Sequence, residues 1–493
     1  MIINFDELTA INPEWGINKI VFDSREAGSR TIFCALTGLH TDGHLFITKA
    51  KEQGCRFFLI EDKNFADDSA GFIYLLAANS RLAMAKLSAI FYDYPSKKIK
   101  VIGVTGTDGK STTSYLIYQL LTLLGYKVGL ISTVSLKIAG NLEDNNMRQS
   151  TPEAPQIEEA LSQMFKSGLD YAVLEATSHG LAEETGRLKY INFVAGVFTN
   201  LTIEHLEFHK TFENYRQAKA NLFRKVAAHK GITIINIDDE HSANFIEAAK
   251  GSIIITYGRN IHADYNISRE ESLPTSNNFV LSINNHSSSH NILVANINLA
   301  GAFNIENSTA AFATVVNLLK LPPEEVIKFL PQLTAPTGRM KIIQTKPFGV
   351  IVDYAHTPGS FAKLLPQMKE NLTGRMLVVF GSAGERNKEK RPLQGELADN
   401  YADIIILTDE DPRLEGSLPI IEDIAKGIKN KKLNETLFFI PDRTTAITKA
   451  YELAKTDDLV LLLGKGHERS IFMAHGKEPW HEEEVAKALL NKN

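Results

Sequence analysis

Short, almost wholly apolar runs recur along this chain, and most are separated by a stretch long enough for a helix. Lys100-Val101-Ile102-Gly103-Val104, Asp170 to Leu174, Val194 to Phe198 and Ile232 to Ile237 form one series. Gly349-Val350-Ile351-Val352, Met376 to Phe380, Asp403 to Leu407, Thr436 to Ile440 and Leu459 to Leu463 form another. Buried strands spaced by helices imply βαβ units, so the chain is expected to be α/β with mainly parallel sheets. Between about 252 and 300 the apolar residues alternate instead, around the polar tip Asn284 to Asn291. That pattern predicts an antiparallel appendage to the same domain as the first series.

A length of 493 residues leaves room for about three domains of roughly 150 residues each. Residues 1 to about 95 read as a small α/β unit with strands at Lys19-Ile20-Val21-Phe22, Thr31 to Leu36 and Arg56 to Ile60. It also carries the turn Asp23-Ser24-Arg25 and a polar turn from Thr37 to His44. Pro95-Ser96-Lys97-Lys98 reads as a linker, and a second break falls at Leu333 to Arg339. The expected domains are 1–97, a central phosphate-loop domain over 98–334, and a Rossmann-like domain over 335–493.

Charge and cysteine content narrow the partners. With 53 Lys and Arg against 58 Asp and Glu there is no basic excess. Nucleic acid is therefore not an expected partner, and anions must be held at local sites. Cys34 and Cys55 sit in no metal-binding spacing, which argues against a zinc site or disulfide framework and for a reducing compartment. The first residues lack a signal-peptide pattern, and no apolar run nears the roughly 18 residues that span a bilayer. A cytoplasmic protein without membrane insertion is expected.

The stretch richest in chemistry is Gly106-Thr107-Asp108-Gly109-Lys110-Ser111-Thr112, between a buried strand and a helical pattern from Ser111 to Leu124. Glycines let backbone N–H groups turn toward one anion, and the helix N-terminus adds its positive end. Lys110 supplies a charge for outer phosphates and the Ser111 hydroxyl can ligate Mg²⁺. The generic pattern wants a glycine where Val104 stands. ATP or GTP binding is predicted all the same. Asp170 to Glu175 ends a strand in a carboxylate, and Val197-Phe198-Thr199-Asn200 leads into Thr202-Ile203-Glu204-His205. Glu175 and His205 could complete a metal site for bridging phosphates. Taken singly, they read as well as a surface carboxylate and a structural histidine.

Together these blocks carry a resemblance. Val104 to Thr112 resembles the ATP loop of the Mur ligases, which build the peptide stem of bacterial cell-wall precursors. Glu175 to Leu181, Thr199 to Leu206, Tyr215-Arg216-Gln217-Ala218-Lys219, Gly301 to Asn307 and Asp353 to Pro358 resemble their further blocks, in the family's order. Asp23-Ser24-Arg25, Asp411-Pro412-Arg413 and Gly464-Lys465-Gly466-His467-Glu468 point to the member that adds a diamino acid to UDP-N-acetylmuramoyl-L-alanyl-D-glutamate. The resemblance implies ATP as co-substrate and Mg²⁺ as cofactor. ATP would be held by Gly106, Thr107, Asp108, Gly109, Lys110, Ser111, Thr112, Asn304 and Arg339. Lys110, Glu175, His205 and Lys219 would be catalytic, with Ser111, Glu175, His205 and a carbamylated Lys219 on the metal. The muramoyl-dipeptide nucleotide would meet Phe22, Ser24, Leu39, His40, Thr41, Gln149, Ser150, Thr151, Thr177 and Arg187. The amino acid would meet Arg386, Glu410, Asp411, Pro412, Arg413, Gly464 and Glu468. Small-molecule partners and a monomer are expected.

Chemistry bears on two of these positions. An ammonium at Lys219 would repel Mg²⁺, whereas a carbamate is a hard oxygen donor; on chemistry alone the residue reads as a solvated lysine on a helix. The diaminopimelate-adding pattern is Asp-Asn-Pro-Arg, and here Glu410-Asp411-Pro412-Arg413 stands in its place. Arg413 suits a distal carboxylate. Asp411 in place of an amide adds a negative charge that would favour lysine or ornithine. Diaminopimelate is placed first. Other departures are Asp108 where the loop commonly has Asn, and a stretched Ala182 to Gly186 before Arg187. A folate-extending relative is disfavoured by the Asp23-Ser24-Arg25 block. A non-ligating, nucleotide-binding regulatory protein would bind ATP without releasing phosphate.

Overall fold

Parallel pairing begins at the N-terminus. In the computed structural model, which describes residues 1–38, 41–67, 69, 71–145, 149–284 and 290–491, five strands lie in the order Ile2–Asn4, Ile73–Leu76, Phe57–Ile60, Thr31–Cys34, Lys19–Val21, all parallel. Ile32, Cys34, Leu59 and Leu75 are buried on one face, Phe33, Phe58 and Tyr74 on the other. Burial on both faces is why these strands read as unbroken apolar runs. Cys34 and Cys55 are buried and free. The expected linker at Pro95 is packed at its first two residues, with Lys97 and Lys98 exposed. Pro95 and Ser96 are buried in a 3-10 turn, and Ser96 Oγ accepts from Asn192 N at 3.0 Å.

The chain divides into two compact units, Met1–Lys110 with Leu121–Thr256, and Ser111–Leu120 with Tyr257–Asn493. The first unit's other strands run in the order Ile232–Asn236, Phe193–Phe198, Lys100–Thr105, Tyr171–Glu175, Val128–Ile131, all parallel. Antiparallel Ser135–Lys137 and Glu143–Asp144 extend the edge. Helix Phe212–Ala228, capped by Thr211, buries Tyr215, Ala218, Lys219, Leu222, Phe223 and Val226. That is the spacing of one helical face. Phe198 stacks on Phe245 with ring centroids 3.8 Å apart, and Phe223 meets the same ring at 5.5 Å.

In the second unit, Tyr265–Ser272, Asn277–Asn284 and His290–Ile297 form the expected antiparallel meander; residues 285–289 of its polar tip lie outside the described residues. A further sheet runs Lys341–Gln344, Gly349–Asp353, Leu459–Leu463, Met376–Phe380, Ile404–Leu407, Leu437–Phe439. Only its first pair is antiparallel. Hairpin Ser470–Met473 with Gly476–Pro479 and helix Glu482–Leu490 end the chain. Among the described residues, no helix is long and apolar enough to cross a membrane.

Replacing Phe245 by alanine empties the slot between Phe198 and Phe223, and should cost about 3–5 kcal/mol. A lower urea midpoint for the first unit checks it.

Candidate functional site

Register brings the first cluster together. Glu175 pairs with Val104 and Phe198 with Thr105, so three strands end level with the phosphate loop. Thr107 N donates to Asn200 O at 2.8 Å, Asp108 N to Asn200 Oδ1 at 2.9 Å, and Thr199 Oγ1 to Asp108 O at 2.7 Å. Thr107 Oγ1 accepts from Thr202 N at 2.9 Å and lies 2.9 Å from the Tyr215 hydroxyl. Gly106 has φ 153°, and a Cβ on it would sit 1.9 Å from Thr199 Oγ1. Only glycine lets the loop approach that closely. Lys110 Nζ donates to Thr107 O at 2.7 Å, and Ser111 follows it in helix Lys110–Leu123.

Lys219 is not a solvated lysine. It lies on the apolar stripe of its helix, 1% exposed, and its Nζ donates to Gly106 O. Burial, reinforced by the Lys110 charge, holds its amine well below the ordinary lysine range. A neutral amine is what the site favours. Glu175 is also buried, and its Oε2 accepts from Thr133 N at 2.8 Å and Thr133 Oγ1 at 2.9 Å. His205 opens a helical turn at φ 56° with a half-exposed ring, and lies 3.5 Å from Glu204 and 3.4 Å from Glu207. Its ring centroid is 4.9 Å from that of His179, which burial and the neighbouring His205 hold down to about 4. Among the described residues, no three His, Cys, Asp or Glu side chains gather as a metal site. Oxygen donors from other groups would have to complete one.

The residues expected to meet the nucleotide sugar and its peptide are placed as follows. Thr151 Oγ1 donates to Glu175 O at 2.8 Å and accepts from Thr177 N at 3.0 Å, so Thr151 and Thr177 are tied to the end of the Glu175 strand. Arg187 donates to Thr151 O at 3.1 Å and Glu153 Oε1 at 2.8 Å, across a 3-10 turn formed by the stretched Glu183–Thr185. Gln149 is exposed and Ser150 half-buried. In the N-terminal sheet, Asp23 caps the turn Ser24–Glu26 and grips Arg25, with Phe22 half-buried and Ser24 buried beside it. Thr41 is exposed; Leu39 and His40 lie outside the described residues.

The second unit holds its own cluster. Arg339 lies with its guanidinium carbon 4.8 Å from the Tyr354 ring centroid. Asn304 donates to Ala300 O at 2.7 Å and accepts from Asn307 at 2.9 Å. At the carboxyl edge of the C-terminal sheet, Asp411 accepts from Lys465 Nζ at 2.8 Å and Phe472 N at 3.0 Å. Lys465 is fully buried and also holds Glu468. The carboxylate that Asp411 was expected to offer a substrate ammonium is therefore already engaged inside the protein, by an ammonium it shares with Glu468. Arg413 sits at φ 53°, bonds through its N to Phe472 O at 2.9 Å, and has a buried Nε with no partner. Pro412 is buried, its carbonyl close against Gly384, while Arg386 is exposed. Thr133, His179, Tyr215 and Lys465 join these clusters without having been singled out by sequence. Three of them sit inside the quoted blocks, but Thr133 has no charged neighbour or motif to mark it.

Known proteins share the sequence and fold of this chain. The profile of the Mur ligase middle domain matches residues 104–315, and that of the Mur ligase glutamate ligase domain matches 338–466. The UDP-N-acetylmuramyl-tripeptide synthetase of Borreliella burgdorferi is 46% identical over 478 residues, covering 96% of this chain and 93% of that protein. The UDP-N-acetylmuramoyl-L-alanyl-D-glutamate–2,6-diaminopimelate ligase of Caldanaerobacter subterraneus is 35% identical over 481 residues, covering 97% and 96%. A solved structure of a ligase with that same diaminopimelate activity in its name superposes with a TM-score of 0.70 at 28% identity, covering 100% of this chain and 99% of that one.

Glu410 is the least settled group in the second cluster. It is buried, its Oε2 has no hydrogen-bond partner, and it lies 3.2 Å from where a Cβ on Gly464 would be. Burial pushes its carboxyl up to about 7, with Lys390 and Lys465 opposing. Between its ordinary value of 4.5 and about 7 the unfolded chain is ionised there and the folded chain is not. Unfolding thus releases a proton, and stability falls as pH rises through that window. Glu410→Gln removes this dependence, so its melting temperature should gain on the parent's across the window and run parallel above it. A constant offset in thermal denaturation would contradict this.

Proposed function

The chain belongs to the Mur ligase family, as an ATP-dependent ligase of peptidoglycan precursors, and we propose that it joins a diamino acid to UDP-N-acetylmuramoyl-L-alanyl-D-glutamate. In this reading residues 1–97 take the nucleotide sugar, 98–334 take ATP and 335–493 take the amino acid, and the work is done in the cytoplasm by a monomer. The terminal phosphoryl of ATP passes to the D-glutamate carboxylate, giving an acyl phosphate and ADP. The incoming amine then attacks the acyl carbon, loses a proton, and expels phosphate as the amide forms. Lys110 and the loop N–H groups hold the outer phosphates, where positioning and charge stabilisation supply most of the rate. Thr151, Thr177 and Arg187 hold the muramoyl-dipeptide end.

The observation that carries this reading is the buried Lys219 amine on the phosphate loop. An uncharged amine can add to CO₂, forming an N–C bond and releasing one proton, to leave a carbamate. Glu175, Ser111 and that carbamate would offer oxygen donors of the kind Mg²⁺ accepts together with phosphate oxygens, and His205 would add a ring nitrogen. Bound there, Mg²⁺ would supply charge to offset repulsion among phosphate and carboxylate oxygens. The third residue is taken as meso-diaminopimelate, ahead of L-lysine and L-ornithine. Arg413 retains a donor for a second carboxylate, and Asp411 is engaged by the Lys465 ammonium, which it shares with Glu468.

Phosphate release with the UDP-muramoyl-dipeptide and a panel of diaminopimelate, lysine and ornithine tests the reaction. Release should require both substrates and be most efficient with diaminopimelate. ATP binding without release would favour the non-ligating alternative, and a higher kcat/KM for lysine or ornithine would reverse the ranking. Lys110→Ala should lower kcat by about 100-fold or more. Lys219→Ala should be comparably slow but partly restored by added short carboxylates; no restoration would count against the carbamate.

A further inference from the structure

Two loops of the amino-acid cluster, starting at Glu410 and Gly464, leave the ends of separate strands, Ile404–Leu407 and Leu459–Leu463. Beneath them lies Arg443, 2% exposed, at the start of helix Arg443–Leu453. Its Nη1 donates to Asp409 O at 3.0 Å and its Nη2 to Leu463 O at 2.8 Å. These are the last carbonyls before Glu410 and before Gly464. The same guanidinium is gripped by Glu482 of the C-terminal helix, with Nε to Oε2 at 2.9 Å and Nη2 to Oε1 at 2.6 Å. Trp480 Nε1 donates to Glu482 Oε2 at 2.6 Å. The next carboxylate, Glu483, accepts from Gly338 N at 2.9 Å, where a Cβ on Gly338 would strike the backbone of Gly466 and His467. One helical turn thus holds both the Gly464 loop's neighbour and the arginine under the two loops.

Stability alone does not account for this arrangement. A cation in the first turn of a helix faces the positive end of the helix dipole. A buried ion pair is seldom better for stability than apolar side chains of the same volume. What a guanidinium can do, and an apolar group or lysine cannot, is present a rigid fork to a carboxylate and to two carbonyls at once.

We propose that Arg443 is a positioning residue for the amino-acid pocket, fixing the separation of the Glu410 and Gly464 loops, with Glu482 and Trp480 fixing Arg443. It touches no substrate. Its effect passes through Glu410, Asp411, Arg413 and Glu468, and rests on the reading above that these residues receive the diamino acid.

Two variants of the full chain test it. Arg443→Lys keeps the charge and loses the fork; Trp480→Phe keeps an aromatic ring against the core and loses the bond to Glu482 together with part of the indole's packing. In both, KM for the diamino acid should rise, by about tenfold or more in Arg443→Lys, with KM for ATP and for the UDP-muramoyl-dipeptide nearly unchanged. Amide hydrogen exchange should speed up together over 410–413 and 464–468. Equal changes in all three KM values, or a lower melting temperature with unchanged exchange in the two loops, would overturn the proposal. If Arg443→Lys does not fold, Trp480→Phe decides by the same readings. Should the parent enzyme turn over no diamino acid at all, the functional reading fails; the exchange measurement, which needs no turnover, still judges the positioning role.

Discussion

A lysine amine without solvent, resting on the carbonyl of a phosphate-loop glycine, sets the terms for the first cluster. An ammonium so placed would be costly, since burial and the nearby Lys110 both disfavour its charge. The protein holds it there by the most basic of folding forces, a helix face. Lys219 occupies a stripe position between Tyr215 and Leu222–Phe223, on the buried face of its helix. Tyr215, one turn earlier, reaches Thr107 in the same loop. Loop and helix are thus bonded at two points.

Much of this was legible in the chain. Strands of five or six mostly apolar residues, such as Lys100–Thr105 and Leu459–Leu463, are long enough to be seen, and the parallel register then places Glu175 at the carboxyl edge. Strands Ile2–Asn4 and Val128–Ile131 are too short to stand out from the helical segments beside them, and Gly129 breaks the apolar run of the second. Pro95 to Lys98 carries an ambiguous signal, because polarity and proline mark a packed turn as well as a linker. Only packing distinguishes them, and Ser96 is held by Asn192, far away in sequence.

Charge was the harder quantity to read. The local pattern Glu410-Asp411-Pro412-Arg413 shows which charges lie near one another in sequence, not which are already neutralised. Lys465 is more than fifty residues from Asp411 in the chain, yet its ammonium is fully buried against that carboxylate. Asp411 is therefore not a free charge, although the same ammonium also serves Glu468. Glu410, beside it, has the opposite property: burial without a hydrogen bond on Oε2. Adjacent residues of the same type differ because their partners come from other strands.

The same reasoning extends to what holds such loops. Beyond what side chains such as Asp411 contribute, the anchoring of these loops comes from below. Arg443 does this for the loops after Ile404–Leu407 and Leu459–Leu463. Arg391, equally buried, does it for the loop after Met376–Phe380, donating to Ala383 O at 3.2 Å and to Glu415 at 2.8 Å through each of two nitrogens. Glu415 in turn accepts from Glu385 N at 3.1 Å. In both places the guanidinium reads main-chain carbonyls while a carboxylate offsets its charge. Buried pairs of this kind contribute little net stability. Their value lies in geometry, because a carbonyl can be bonded from only a narrow range of directions, and a loop so bonded keeps its shape when its outward side chains exchange water for substrate.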